Sequence, residues 1–223
     1  AVSGTSNLKK LEGRFPVRVE LSDADTNAVI RNVLLAKNSS AIAPLNDILT
    51  ANKGEISRHL EGTELSYRYE DDDYFASDYP ILPSRRRFWD HVLRALDPSG
   101  TDSQLRNQLR MVDKAVKENL DQPLGHVVAS DYLFFNSADS FLQNRSLSKD
   151  LYLEIMSLYG NPADGDLDDD RVTARACAVL FLVNKLKTGN PDTGISATAD
   201  TVADLLIEDL HRGSGHLRGR LPG

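Results

Sequence analysis

"RVTARACAVLFLVNKLKTG", residues 171–189, decides the fold. Its apolar residues fall on nearly every face of a 3.6-residue helix, the pattern of a helix buried all round. Such a helix needs other elements packed about it. "NPADGDLDDD" (161–170) ahead of it and "NPDTG" (190–194) after it read as loops. Beyond them, "SKDLYLEIMSLYG" (148–160) reads as a helix stopped by Gly160, and "ADTVADLLIEDL" (199–210) as another with Thr198 as its N-cap.

The first half continues the helical pattern. "ILPSRRRFWDHVLRALD" (81–97) predicts a helix beginning at Pro83, with Phe88, Val92 and Leu96 in one stripe and Trp89 and Leu93 beside it. Leu105, Leu109, Val112 and Val116 form the apolar face of the next. An earlier helix is expected to begin at Pro44, to carry Leu45, Ile48, Ile56 and Leu60, and to break at Gly54. "YEDDDYFASDYP" (69–80) reads as an acidic loop. Near the start, Val17, Val19 and Leu21 alternate with Arg18 and Glu20, the period of a strand. Ser22 then offers an N-cap to a helix bearing Val29, Ile30, Val33 and Leu34. The fold class is therefore mostly α with one short strand. A lone strand has unpaired backbone groups and needs a sheet that these residues do not supply. The chain is expected to be an internal piece of a larger protein.

Composition narrows the function classes. The 223 residues are 40% hydrophobic and 26% charged, in the range of a globular protein. A net charge of −7 argues against a surface that coats nucleic acid. The one cysteine, Cys177, sits in an apolar run and reads as a small buried hydrophobe. There is no run of roughly 20 apolar residues and no signal-peptide pattern, so the expected location is the cytoplasm, with no membrane partner.

Few motifs carry chemistry. The chain has no phosphate-cradling G-x-x-x-x-G-K-[ST], no CxxC, no HExxH and no G-x-S-x-G. Its five histidines lack metal-ligand spacing. A calcium loop counted from Asp164 would require glycine where Asp169 stands and glutamate where Arg175 stands, so that reading fails. "SRRRF" (84–88) is a compact positive cluster able to touch phosphates, but such a run is more often a solvated helix face, and the acidic stretch 70–73 beside it can neutralise it. Arg106 is placed at the boundary of its helix's apolar stripe and Arg110 further toward solvent. There a guanidinium can reach a neighbouring phosphate or pair with Asp113.

These stretches occur in a recognisable order. "LEGRFPVRVELSDADTNAVIRNVLLAK" (11–37) resembles the end of an AAA+ ATPase core: a helix ending in Gly-Arg-Phe, the final core strand and the first lid helix. "DYPILPSRRRFWDHVLRAL" (78–96) and "GTDSQLRNQLRMVDKAV" (100–116) resemble a later part of the lid, and "DQPLGHVVASDYLF" (121–134) and "GISATADTVADLLIEDL" (194–210) extend the likeness. Together they resemble the BrxC/PglY family, the large P-loop ATPases of bacterial BREX phage-defence systems.

The resemblance implies a core edge over 1–22, a helical lid region over 23–125, a helical region over 126–190 and the start of a possible winged-helix unit over 191–223. It implies that Arg14 is an arginine finger reaching a neighbouring subunit's nucleotide, and that Arg106 and Arg110 are sensor-2-like residues. ATP and magnesium would be cofactors of the parent protein and not of this segment alone. Partners would be further copies of the parent, other BREX proteins and possibly DNA. Two other readings stand beside it: a helical scaffold or adaptor with structural arginines, and a DNA-binding module using the basic C-terminal tail.

Overall fold

Ten α-helices make up the described part of the chain in a computed structural model, which describes residues 23–96, 102–160, 169–189 and 191–221. Among these residues the fold is mostly helical, as the hydrophobic patterning predicts, and no sheet is present. The strand expected at 17–21, the cap at Ser22 and Arg14 lie outside the described residues.

Helix α1 (Asp23–Val29) runs on into a π-helical turn, Ile30–Leu34. Helix α2 (Ser39–Arg58) starts ahead of Pro44 and runs through Gly54. Gly54 faces open space, so its missing side chain leaves no gap and the expected break does not occur. Residues 71–78 form helix α3, not the expected acidic loop. Asp71, Asp72 and Asp73 occupy its first turn, where negative charge suits the helix dipole, and Phe75 anchors it in the core.

Helix α4 (Pro83–Leu96) begins at Pro83 and buries Phe88, Trp89 and Val92, as expected. Helix α5 spans Asp102–Glu118. Helix α6 (Tyr132–Gln143) lies within the region 126–190 expected to be helical, although no individual helix is expected at its position. Helix α7 (Lys149–Tyr159) is capped by Ser148, whose hydroxyl accepts the Leu151 N–H, and ends at Gly160, which has φ 64°. Helix α8 (Asp169–Gly189) is the predicted central helix, buried except along a stripe that includes Thr173, Leu180 and Asn184. Helix α9 (Ala199–Leu206) has Thr198 as its N-cap, accepting the Thr201 N–H at 3.1 Å. A short α10 (Gly215–Arg218) follows.

Helix α8 lies at the centre, packed against α4, α7 and α9. Val172, Ala174, Ala178, Val179, Leu182, Val183 and Leu186 are all buried along it. Its last residue must be glycine, because a Cβ at Gly189 would lie 2.6 Å from that of Ala95. One hydrophobic core runs from Ile30 to Leu217, so residues on both sides of positions 125 and 190 share it. A smaller cluster joins Leu49, Ile56, Phe75, Leu82, Val127 and Leu210. No helix of the described residues is long and apolar enough to cross a membrane.

The C-terminal segment is fastened to α2 through Glu55. Its Oε1 accepts the Ser214 N–H at 2.8 Å and the Ser214 hydroxyl at 2.6 Å. Buried His59 stands 3.5 Å away. His59 and then Ser214 hold the Glu55 carboxyl well below its ordinary value of 4.5, against the opposing effect of burial. A carboxylate depressed in the folded state contributes stability above its unfolded pKa and loses it as pH falls through the folded value. Glu55→Gln should therefore cost about 1–2 kcal/mol at pH 7, with the gap to wild type closing below about pH 4.5. Urea melts of both proteins across pH 3–7 check this; a gap that does not change with pH contradicts it.

Candidate functional site

Helices α1, α3, α4 and α5 enclose a charged cleft of about 300 Å³. Arg85, Arg86 and Arg87 are successive residues about 100° apart around α4, so the three guanidiniums go to different places. Arg86 and Arg87 turn into the cleft, and Arg85 enters the core. This corrects the expectation of a solvated face, since all three are buried or nearly so and each has an internal partner. The neutralising role foreseen for the acidic stretch does appear.

Buried Asp78 is the hub of the cleft. It accepts from Arg31 Nε at 2.8 Å and Arg31 Nη2 at 2.9 Å, and also pairs with the Arg86 guanidinium. Arg31 lies 3.8 Å over the Tyr74 ring. Asp71 accepts both Arg87 terminal nitrogens at 2.7 Å and the Arg68 N–H at 2.8 Å. Arg85 donates to the carbonyls of Val128, at 2.6 Å, and Asp204, at 3.1 Å. With no carboxylate in direct contact, burial pushes its pKa down to about 10.

A second network crosses the core. Arg175 of α8 grips Asp131 through Nε at 2.6 Å and Nη2 at 3.1 Å, and Glu208 through Nη1 at 2.8 Å. Burial works against the Arg175 charge, but Asp131 and Glu208 more than offset it and leave the pKa above its ordinary value. Burial pushes the Asp131 carboxyl up, while Arg175 pulls it down. Asp204 accepts from Arg218 at 2.9 Å and from the Leu60 N–H at 3.2 Å.

Of the site residues expected from sequence, Arg106 and Arg110 stand one turn apart on α5 and are both exposed. The buried face of α5 is Met111, Val112 and Ala115. Ala115 is nine residues, or about 2.5 turns, from Arg106 and therefore opposite to it. Arg106 is thus a solvent-facing residue and not the boundary residue expected. Asp113 pairs with Lys117 at 2.7 Å, so the proposed Arg106–Asp113 pair is not formed. Neither arginine lines the charged cleft, to which α5 contributes Gln108. Arg14 lies outside the described residues.

In the C-terminal tail, Arg218 pairs with Asp200 and Asp204, and Arg220 with Asp169. Among the described residues no three His, Cys, Asp or Glu side chains are placed to hold a metal ion. The cleft's Asp78 hub has one trace in the sequence, the closeness of an acidic stretch to a basic run. The joining of Asp131 to Arg175, 44 residues apart, has none. No protein-family model matches the chain, and no solved structure matches it.

Proposed function

We propose that this chain supplies the lid and the helical region after it to a BREX-type AAA+ ATPase acting in phage defence. The reading rests on the ordered resemblance over 11–210, and one structural observation supports it. Helix α5 buries Met111, Val112 and Ala115 and holds Arg106 and Arg110 outward, one turn apart. Two guanidiniums on a rigid helix can approach the phosphates of a nucleotide held by another part of the protein, where a planar donor fork suits phosphate oxygens.

ATP, when bound, supplies the transferable phosphoryl group. In this reading the parent holds ATP and magnesium elsewhere, Arg106 and Arg110 sense the phosphates, and Arg14 reaches the site of a neighbouring copy. Other BREX proteins and DNA are the proposed partners, in the cytoplasm.

Nucleotide titrations of the full-length parent test the reading. Arg106→Ala should weaken nucleotide binding about tenfold, or about 1.4 kcal/mol, and leave the nucleotide-free melting temperature unchanged. Asp113→Ala should leave nucleotide binding unchanged. A double replacement of Arg106 and Arg110 that binds nucleotide as tightly as wild type overturns the assignment.

A further inference from the structure

A second cavity, of about 400 Å³, opens between the end of α5, α6, the end of α7 and the start of α8. Its size falls in the range of small-ligand pockets, roughly 300–1,000 Å³. Phe135 and Tyr159 stack within its wall with centroids 3.9 Å apart, and Tyr132 stands on α6 with Trp89 behind it at 6.0 Å.

The two arginines that line this cavity already have partners. Arg175 is held by Asp131 and Glu208, and Arg171 donates to the Tyr159 carbonyl at 3.1 Å with its guanidinium 5.4 Å over the Tyr159 ring. The two glutamates of the lining keep acceptor capacity. Glu208 accepts on Oε2 from Arg175, and its side chain is 40% exposed. Glu118 accepts the Tyr132 hydroxyl on Oε2 at 2.6 Å and is 49% exposed. Lys114 lies 3.6 Å from Glu118, but more than half of it is in solvent, which screens the pair. A carboxylate can accept about four hydrogen bonds, so both glutamates have room. Within the cavity three carboxylates face two guanidiniums, leaving one negative charge.

We propose that this cavity receives a single arginine side chain of a protein partner, its guanidinium bound by Glu118 and Glu208 and lying against the aromatic wall. Aromatic faces attract cations, and a planar donor fork matches carboxylates better than an ammonium does. Arginine in a pocket is also a recurrent anchor of protein interfaces. Free arginine fits less well, because its own carboxylate would enter a site that is already negative. The proposal does not depend on the ATPase reading, and its test uses no nucleotide.

The test is a titration of the chain with N-acetyl-arginine amide, followed by amide chemical shifts. Saturable shifts at Glu118, Tyr132, Phe135 and Glu208 are expected, with a dissociation constant below about 10 mM. The citrulline analogue should bind at least tenfold more weakly, and free arginine more weakly than the amide. Glu118→Gln should weaken binding at least fivefold with an unchanged melting temperature. Glu208→Gln should also weaken it, but that change removes a partner of Arg175, so Glu118→Gln is the deciding variant. No saturable shift, equal binding of the citrulline analogue, or full binding by Glu118→Gln overturns the proposal.

Discussion

Replacing Arg175 by methionine is expected to destabilise the chain by about 3–5 kcal/mol, the usual cost of breaking a buried ion pair from one side. Arg175 and Asp131 are both nearly inaccessible to water. Methionine fills much the same volume but leaves the Asp131 carboxylate in the core without its cation. Burial already pushes that carboxyl up, so in Arg175→Met it should take up a proton more readily and the loss of stability should shrink at low pH. Adding Asp131→Asn removes the stranded charge and should restore at least half of the loss. Urea melts of the two single variants and the double variant measure the coupling. An Arg175→Met protein within 1 kcal/mol of wild type, on the order of an exposed pair, contradicts the assignment of this pair to the core.

Phe134→Ala should cost a similar amount, about 3–5 kcal/mol. Phe134 is fully buried on α6, with ring centroids at 5.3 Å from Phe135, 5.4 Å from Phe181 and 6.1 Å from Phe141. Truncation leaves a cavity among rings that belong to two different helices, which cannot close without shifting both. Phe134→Leu keeps part of the volume and should cost less than half as much. For a chain of this length each kcal/mol lowers the melting temperature by roughly 2–4 °C, so thermal scans separate the two variants. A loss below about 1.5 kcal/mol for Phe134→Ala would place α6 away from the core.

The helices legible in the sequence are those with a one-dimensional signal. Residues 171–189 are apolar on nearly every face, Pro83 opens α4, and Gly160 and Thr198 mark ends by local chemistry. Pro44 misled because the same cue marks a helix start, yet here the turns before it are already helical. The acidic stretch 69–80 misled because three aspartates look like a loop, while Phe75 buried against Leu49, Ile56 and Leu82 holds it as α3. That burial comes from residues distant in sequence, and no local pattern contains it.

The arginines divide in the same way. Helical periodicity alone determined that Arg106 and Arg110 share a face, since a spacing of four residues is about one turn. It did not determine where that face points. The tertiary structure turned α5 so that Met111, Val112 and Ala115 meet the core and Arg106 meets solvent. Arg85, Arg86 and Arg87 read as one basic run, and the structure split them between two carbonyls in the core, Asp78 and Asp71. Sequence determined those helices whose hydrophobic period, caps and stops act within a few residues. Only the fold decided which charges are buried, because the free energy of a buried charge depends on a partner brought near by packing, and the partners here lie as far apart as Arg85 and Asp204.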